Sequence, residues 1–416
     1  MNISSISAIT LIVLFLIVGI CSCQSTEENH YEGAQPDSEA RFEEEHIEQI
    51  KQLVKGLEYS DKVAEDFVQM ISNWRDAQGR PVLTSWKQRL NQTENEYKQG
   101  RISNDQVAKE EEKITKELSQ RIQTEISYNE KFFDLTDVIK HRQTQCIGYP
   151  QLFYILGNSI GLSVRTIDVE EPMTGAFQVE MGHMACIVSL TDGKMMIVDL
   201  VPGGFVSKPF IREEEFAKVG NYWELKDRDN PLGIHRRIQT FDENGLIAAI
   251  YNNRGGNAYY DLGQYSKAIS DYTKAIELNP EYTKAYCNRG VVYRKLGNLD
   301  QAISDYTKAI ELDAKYAMAY NNRGNAYGRL GQYLQAISDF GCAIELDPEF
   351  ALAYKNRGVA YVLQKSPTAA CGDFYQAGIL FLKKNNTTQA LICVDWMKKV
   401  DPSSPLINNL MDQINK

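Results

Sequence analysis

The spacing of apolar residues divides the chain into a helical first part, a mixed central part and a helical last part. Between residues 39 and 127, apolar positions recur at helical intervals among many Glu, Lys and Gln residues. This pattern predicts helices over residues 39–59, 61–77 and 83–127. Within the last of these, Ile114, Leu118, Ile122 and Ile126 recur at every fourth position and form a narrow stripe. We expect the stripe to pack on a neighbouring domain or a partner helix.

Local signals place the ends of these helices. Ser60 is expected to be an N-cap, and Gly79-Arg80-Pro81 is expected to interrupt the helical region. Gly100, followed by Ser103 as a new N-cap, is expected to split the last helix. We expect no chemistry in this lead-in.

The central part mixes helical and strand patterns. Residues 149–160 read YPQLFYILGNSI and predict a buried helix, with Pro150 in its first turn and Gly161 as its end. Strands are predicted over residues 163–169, 183–190 and 195–200. The region from about 130 to 245 is therefore expected to be an α/β (α+β) domain.

The last part repeats itself at a constant interval from Ala248 onward. Glycines recur at 263, 297 and 331, and alanines recur at 268, 302, 336 and 370. The segments AYCNRGVVYRKLGNLDQAISDYTKAIELDA and AYNNRGNAYGRLGQYLQAISDFGCAIELDP resemble the tetratricopeptide repeat, a pair of antiparallel helices. Four repeats are expected, at about 249–282, 283–316, 317–350 and 351–384. One helix pair cannot bury its apolar face alone, so the resemblance implies a stacked all-α solenoid.

One interval in the repeats is longer than the others. The triplet Asn-Arg-Gly begins at residues 253, 288, 322 and 356, so the first interval is longer than the next two by one residue. The extra residue falls at Gly255-Gly256, where we expect a kink or bulge in the helix.

The first helix of each repeat is expected to line a concave groove that holds a protein or peptide. The polar residues predicted to face this groove are Lys284, Asn288, Asn321, Asn322, Asn325, Arg329, Lys355 and Asn356. Asn amides can bracket an extended peptide backbone, and Lys or Arg can bind a carboxylate. Alternatively, the Asn residues serve only the contacts between helices.

Charge and cysteine usage exclude several function classes. The net charge is −10, so a nucleic-acid partner has no basic surface to bind. The eight cysteines include no CxxC pair, so no metal is expected, and no motif calls for a cofactor.

The N-terminus has the pattern of an export signal. Residues 8–20, AITLIVLFLIVGI, form an apolar run that is short for a membrane span and suited to a signal peptide. The sequence around Ser22 and Cys23 resembles a bacterial lipobox, which implies that Cys23 is lipidated. The alternative is an uncleaved anchor. Either way we expect the protein in the cell envelope, held to a bacterial membrane and facing the periplasm or the exterior.

Cys146, His183 and Asp199 supply the parts of an activated cysteine nucleophile. Cys146 precedes the helix at 149–160, where the helix dipole favours a thiolate. His183 would take the thiol proton, and Asp199 would orient the imidazole. These roles require a particular length of the loop Thr191-Asp192-Gly193. A three-residue loop puts His183 and Asp199 on one face of the hairpin, whereas a two-residue turn puts them on opposite faces.

The order and spacing of these residues resemble the transglutaminase-like superfamily, a papain-like group with a Cys–His–Asp triad. LTDVIKHRQTQCIGYPQLFYILGNSIGL and VDLVPGGFVSKPF also resemble a bacterial branch that joins such a domain to tetratricopeptide repeats. In many members of that branch the nucleophile is lost. The resemblance implies either a protease, amidase or acyl transferase acting on amide bonds, or an inactive scaffold that binds proteins through its repeats.

The predicted organisation follows in chain order. It consists of a signal peptide, a flexible tether, a helical lead-in, a transglutaminase-like domain, four tetratricopeptide repeats and a helical cap, at residues 1–22, 23–40, 41–128, 129–245, 246–384 and 385–416.

Overall fold

The computed structural model describes residues 36–128, 135–144, 147–169, 183–200, 206–219, 221–226 and 237–415. The predicted signal peptide, Cys23 and Cys146 lie outside these residues. The chain divides into two compact units, residues 1–45 and 46–416. Among the described residues, no helix is both long and apolar enough to cross a membrane.

Four helices form the lead-in, and both predicted breaks are present, although the second helix ends at residue 71 and not at residue 77 as predicted. They are α1 (Pro36–Gly56), α2 (Asp61–Ile71), α3 (Val82–Lys98) and α4 (Asn104–Glu125). The Ser60 hydroxyl accepts a hydrogen bond from the Val63 amide at 3.4 Å. Gly100, with a φ angle of 70°, follows the end of α3, and Gly79, with a φ angle of 78°, lies in the turn between α2 and α3. The tether expected over 23–40 is too long, because α1 already begins at Pro36, a residue suited to a first helical turn.

The apolar stripe of α4 packs against the central helix. Ile114, Leu118 and Ile122 are fully buried, in one apolar cluster with Leu152 and Phe153 of α6 (Gly148–Ile160). The Tyr149 hydroxyl at the start of α6 also donates to the Ile126 carbonyl at 3.1 Å. The stripe therefore packs on a neighbouring element, as expected. The boundary predicted at 128/129 does not separate two cores.

The central region is an antiparallel sheet with α6 on one face. Its strands are β3 (Ser163–Val169), β4 (His183–Ser189), β5 (Met195–Val198), β6 (Phe216–Val219), β7 (Tyr222–Leu225) and β8 (Arg237–Phe241), in the order β5-β4-β3-β8-β7-β6. The short parallel pair β1 (Ser127–Tyr128) and β2 (Gln143–Thr144), the helix α5 (Leu135–His141) and the turn α7 (Arg212–Glu215) complete the region. Strands β3, β4 and β5 match the prediction. Strands β6 to β8 were missed, because they are short and mix polar with aromatic residues.

The two faces of the sheet belong to different apolar clusters. Met184, Cys186 and Val188 of β4 share the cluster of α6. Ala185 and Ile187 lie in the cluster on the opposite face. Successive side chains of β4 thus point alternately to the face covered by α6 and to the opposite face of the sheet.

The C-terminal region is a stack of helix pairs. The first helices of the pairs are α8 (Glu243–Arg254), α10 (Thr283–Leu296), α12 (Ala317–Arg329), α14 (Ala351–Leu363) and α16 (Thr387–Val400). The second helices are α9 (Tyr265–Leu278), α11 (Leu299–Leu312), α13 (Tyr333–Leu346), α15 (Pro367–Lys383) and α17 (Pro405–Ile414). The expected bulge is confirmed, because α8 continues as a π-helix over Gly255–Tyr260. A π-turn absorbs one extra residue, which accounts for the longer first interval.

The Asn-Arg-Gly triplet has a structural role in each repeat. Its arginine binds a carboxylate of the second helix, as in Arg289 with Asp305 at 2.8 and 2.9 Å. Arg254–Asp271, Arg323–Asp339 and Arg357–Asp373 repeat this pairing. Its glycine faces an aromatic ring, and a Cβ on Gly290 would come within 2.7 Å of Tyr306. The triplet therefore sets how closely the two helices of a repeat approach.

Ion pairs connect the sheet to the second repeat. The Arg237 guanidinium binds Asp313 through two hydrogen bonds of 2.6 and 2.7 Å. Lys315 reaches both carboxylate oxygens of Glu224 at 3.0 Å. Lys284 of α10 donates to Asp168 of β3 at 2.9 Å, with both side chains buried. The solenoid is thus docked on the sheet through charged groups as well as apolar ones.

We expect Asp168→Asn to lower the free energy of unfolding by about 3–5 kcal/mol, because it leaves the Lys284 ammonium buried without its carboxylate. Urea unfolding followed by circular dichroism measures the change. The double variant Asp168→Leu/Lys284→Met should be closer to wild type than Asp168→Asn, since no buried charge remains. Lys308→Met, which breaks the exposed pair with Glu311, is the control and should cost under about 1 kcal/mol. Equal effects of Asp168→Asn and Lys308→Met would contradict this account.

Candidate functional site

Of the three candidate triad residues, only Asp199 is described with its side chain. Cys146 lies outside the described residues. The backbone of His183 begins β4 and pairs with Val169, and its side chain is also outside the description. Asp199 directly follows β5 and is buried.

The hairpin between β4 and β5 has the loop length that the triad requires. The Leu190 amide donates to the Lys194 carbonyl at 2.8 Å, and the Gly193 amide donates to the Leu190 carbonyl at 3.0 Å. Gly193 has a φ of 88°, so the loop Thr191-Asp192-Gly193 uses glycine in the left-handed region. The pairs run from Ser189↔Met195 to Cys186↔Val198. Extended by one residue, this register sets Ala185 opposite Asp199, as expected for a three-residue loop.

A carboxylate of the lead-in holds this loop. Glu111 of α4 accepts hydrogen bonds from the Thr191 amide at 2.8 Å and from the Thr191 hydroxyl at 2.7 Å. Asp192 accepts from the Lys194 amide at 3.0 Å. Helix α4 therefore holds the loop that joins β4 to β5, a role that was not predicted for the lead-in.

The topology brings the start of α6 to the end of the sheet where β4 begins and β5 ends. The Cys186 thiol contacts the carbonyl of Pro150, in the first turn of α6, at 3.6 Å. Burial, with the nearby charge of Asp199, raises the pKa of Cys186 well above its usual value. Cys186 is therefore a buried, protonated thiol and not a competing nucleophile.

A pocket of about 350 Å³ lies on the first helices of the later repeats. Five of the predicted groove residues line it, namely Asn321, Asn322, Asn325, Lys355 and Asn356. Its other lining residues are Arg294, Met318, Leu352, Phe381, Asn386 and Gln389. Cationic, amide and apolar side chains thus converge in one concave site.

Lys355 provides a half-buried ammonium in this pocket. Its Nζ donates to the Gln389 side chain at 3.1 Å and lies 5.9 Å from the centre of the Phe381 ring. No described carboxylate lies within 4 Å of this ammonium. Burial lowers the pKa of Lys355, and the opposing effect of Cys393 is smaller. An anion beside Lys355 would offset the cost of burying its charge.

The asparagines serve the contacts between repeats as well as the pocket. The Asn356 amide donates to Asn321 at 3.0 Å, and Asn288 donates to Asn252 at 3.0 Å. Asn322 contacts the Cys287 sulfur at 3.5 Å. The two interpretations of the Asn residues are therefore compatible, since side chains that tie repeats together also line the pocket.

Three predicted groove residues are not among the lining residues of the pocket. Lys284 and Asn288 are buried, because strand β3 and helix α8 cover this part of the concave face. Arg329 is exposed and donates to the Arg294 carbonyl. Strand β3 therefore occupies the groove at Lys284 of the second repeat, and the part of the groove from Arg294 onward is open.

Two lining residues were missed although the repeat period points to them. Gln389 lies 34 residues after Lys355, which is one repeat, and Asn386 follows Leu352 by the same interval. Both belong to the region of α16, which was expected only to cap the solenoid. The repeat period therefore continues into the segment that was predicted to be the cap. In the described residues, no group of three or more His, Cys, Asp or Glu side chains is placed to hold a metal ion.

Comparisons with known proteins identify the repeats. Two family models match, described as "TPR repeat" at residues 256–297 and 290–331 and as "Tetratricopeptide repeat" at residues 317–350. No curated protein matches the chain.

Solved structures of tetratricopeptide-repeat proteins are similar to part of the chain. The TPR domain of Arabidopsis OM64 is 35% identical, covers 28% of this chain and 96% of its own, and has a TM-score of 0.27. The first TPR of Spaghetti (RPAP3), bound to the HSP90 peptide SRMEEVD, is 30% identical, with coverages of 28% and 93% and a TM-score of 0.27. A thermophilic TPR protein of Thermus thermophilus, TTC0263, is 21% identical, with coverages of 39% and 97% and a TM-score of 0.29. On the evidence of the family models, residues 256–350 consist of tetratricopeptide repeats.

We expect Glu111→Ala to speed hydrogen exchange at the Thr191 amide roughly tenfold, because the loop loses a charged acceptor whose bond contributes about 1.5 kcal/mol or more. Amide exchange read by mass spectrometry measures the effect. Glu112→Ala removes a neighbouring carboxylate that pairs with Lys116 in the same helix, and it should leave Thr191 unchanged. If Glu111→Ala exchanges like wild type, Glu111 does not hold the loop.

Proposed function

We propose that the protein binds peptide segments of other proteins in the pocket around Lys355. The observation that carries this proposal is a half-buried ammonium with no described carboxylate within 4 Å, set in a ring of amides. A site of about 350 Å³ falls within the usual range of ligand pockets, ~300–1000 Å³.

The lining residues favour a peptide that carries a carboxylate next to an apolar side chain. Lys355 and Arg294 offer positive charge, and the surrounding Asn and Gln side chains offer donors and acceptors for a peptide backbone. Met318, Leu352 and Phe381 form an apolar wall that would exclude water from the contact. Lys284 and Asn288 do not contribute to this surface, because Asp168 of the sheet binds Lys284 and Asn252 of α8 binds Asn288.

We expect Lys355→Met to weaken binding of an acidic peptide by roughly tenfold or more, since a hydrogen bond to a charged group contributes ~1.5–3 kcal/mol. Fluorescence anisotropy with a labelled library of short peptides rich in Asp, Glu and Leu measures the affinity. Lys308→Met, on the outer helix α11, should bind like wild type.

The pH dependence of peptide affinity is a second test of the role of Lys355. The pKa of Lys355 is lowered in the fold, so on raising the pH this ammonium loses its proton earlier than an ordinary lysine, whose pKa is 10.5. Affinity for acidic peptides should fall in that window. Lys355→Arg, which cannot deprotonate there, should keep its affinity. A wild-type affinity that is unchanged over this window, or equal for Lys355→Met, would exclude Lys355 as the anion contact.

A second candidate function is acyl transfer or amide hydrolysis by Cys146. The observation in its favour is the three-residue loop of the β4–β5 hairpin, whose register puts positions 183 and 199 on one face of the sheet. That face carries Ala185 and Ile187 and is opposite the face that α6 covers, so a triad also requires Cys146 to reach it around the end of the sheet. In this proposal His183 takes the Cys146 proton, the thiolate attacks the amide carbonyl, and the proton passes to the leaving amine, which leaves a thioester on Cys146. Water or an acceptor amine, deprotonated by His183, then breaks the thioester, and the proton returns to the Cys146 sulfur.

We expect Cys146 to react with iodoacetamide at neutral pH at least tenfold faster than a free cysteine if the triad is formed, because His183 lowers the thiol pKa. Peptide mass mapping assigns the label, with the buried Cys287 and Cys393 as internal controls. Substitution of His183 by Ala should remove the excess rate. A Cys146 that reacts like free cysteine in both proteins leaves only the binding function.

A further inference from the structure

Exposed leucines recur at the turns that join the first helix of each repeat to the second. They are Leu262, Leu296, Leu330, Leu334 and Leu363, and we call this set the leucine edge. Each is between 42% and 69% exposed, and none belongs to an apolar cluster of the described residues. Large apolar side chains repeated at equivalent turns differ from scattered surface leucines, which need no explanation.

The repeat geometry places these leucines along one side of the solenoid. Leu262, Leu296 and Leu330 directly precede the turn glycines 263, 297 and 331, which all have positive φ. Leu363 is close to Lys365, which takes the same left-handed conformation at φ 62°. Because stacked repeats present equivalent turns at the same edge, successive leucines lie about one helix-packing distance apart, ~10 Å.

The same edge is basic although the chain is acidic. The last turns of the first helices and the turns that follow them carry Arg294, Lys295, Arg329, Lys365, Lys398 and Lys399 against Asp261 and Asp401. The opposite edge, where one repeat leads into the next, carries more carboxylates than cations, namely Glu277, Glu281, Glu311, Asp313, Glu345, Asp347 and Glu349 against Lys315, Lys383 and Lys384. In a chain of net charge −10, cations are therefore concentrated at the apolar edge.

We propose that the leucine edge docks on an anionic phospholipid surface. Apolar side chains flanked by Lys and Arg are the arrangement by which peripheral elements enter a lipid interface, with the long cationic side chains reaching the headgroups. The leucines stand at separate turns. A fluid lipid surface can take up each one independently, whereas a protein partner needs a continuous patch of about 1000 Å². Docking at this edge keeps the carboxylates of the opposite edge away from the anionic surface.

The test is flotation of the full chain with phosphatidylcholine vesicles, with and without phosphatidylglycerol. Wild type should bind the anionic vesicles more tightly. Lys295→Gln/Lys365→Gln should weaken that binding roughly 30-fold, since each cation near an anionic surface contributes ~1 kcal/mol. Replacing Leu296, Leu330, Leu334 and Leu363 by Ser should weaken it at least tenfold. The N-terminal apolar run is the same in all variants, so differences between them report on the edge.

Matched controls separate the edge from general surface effects. Leu346→Ser/Leu391→Ser removes exposed leucines away from the edge, and Lys109→Gln/Lys113→Gln removes two exposed cations of α4. Both controls should bind like wild type. Leu334→Ser alone should give a smaller loss, which keeps the test informative if the fourfold variant misfolds.

Three outcomes would overturn the proposal. The first is equal binding of wild type to neutral and anionic vesicles. The second is wild-type affinity in both the leucine and the lysine variants. The third is a change only in oligomeric state, measured by sedimentation, which would assign the edge to a second copy of the chain.

Discussion

The buried ion pair between Asp168 and Lys284 is the contact on which the arrangement of the molecule depends. It joins β3 of the sheet to α10 of the second repeat in a place where neither charge reaches solvent. A buried charge of this kind is tolerated only with its partner in position, so the pair favours one docking of the sheet on the solenoid. Arg237–Asp313 and Lys315–Glu224 extend the same junction toward the next inter-repeat turn.

This docking decides which part of the groove is open to a ligand. A concave face built from five first helices could hold a long peptide, but Asp168 of the sheet binds Lys284 near its beginning, where Lys284 and Asn288 are buried. The open part runs from Arg294 to Gln389, and Lys355 is its half-buried cation. The chain has thus filled one end of its own groove with a carboxylate, Asp168, and has left a second lysine without one in the described residues.

The sequence predicts helices and turns well where one repeat interval recurs along the chain. The constant repeat interval gave the helix pairs, and the one-residue excess at Gly255-Gly256 located the π-helix. The loop Thr191-Asp192-Gly193 shows that the position of a glycine can specify the register of a hairpin. In contrast, the short strands β6 to β8 carry too few residues for a pattern to emerge.

Contacts between distant segments were not predictable from one sequence. Nothing near Lys284 indicates that Asp168, 116 residues earlier, would bind it, and nothing near Glu111 indicates its bond to Thr191. Gln389 and Asn386 were predictable in principle, because they continue the repeat period past the last residues that match the repeat pattern.

The central claim is that peptides bind the open part of the groove. Hydrogen exchange of the full chain with and without an acidic, leucine-containing peptide tests it most directly. We predict protection at residues 318–325, 352–356 and 386–389, with none at α11 or α13 on the outer surface. Protection confined to the outer helices, or absent at saturating peptide, would contradict the account.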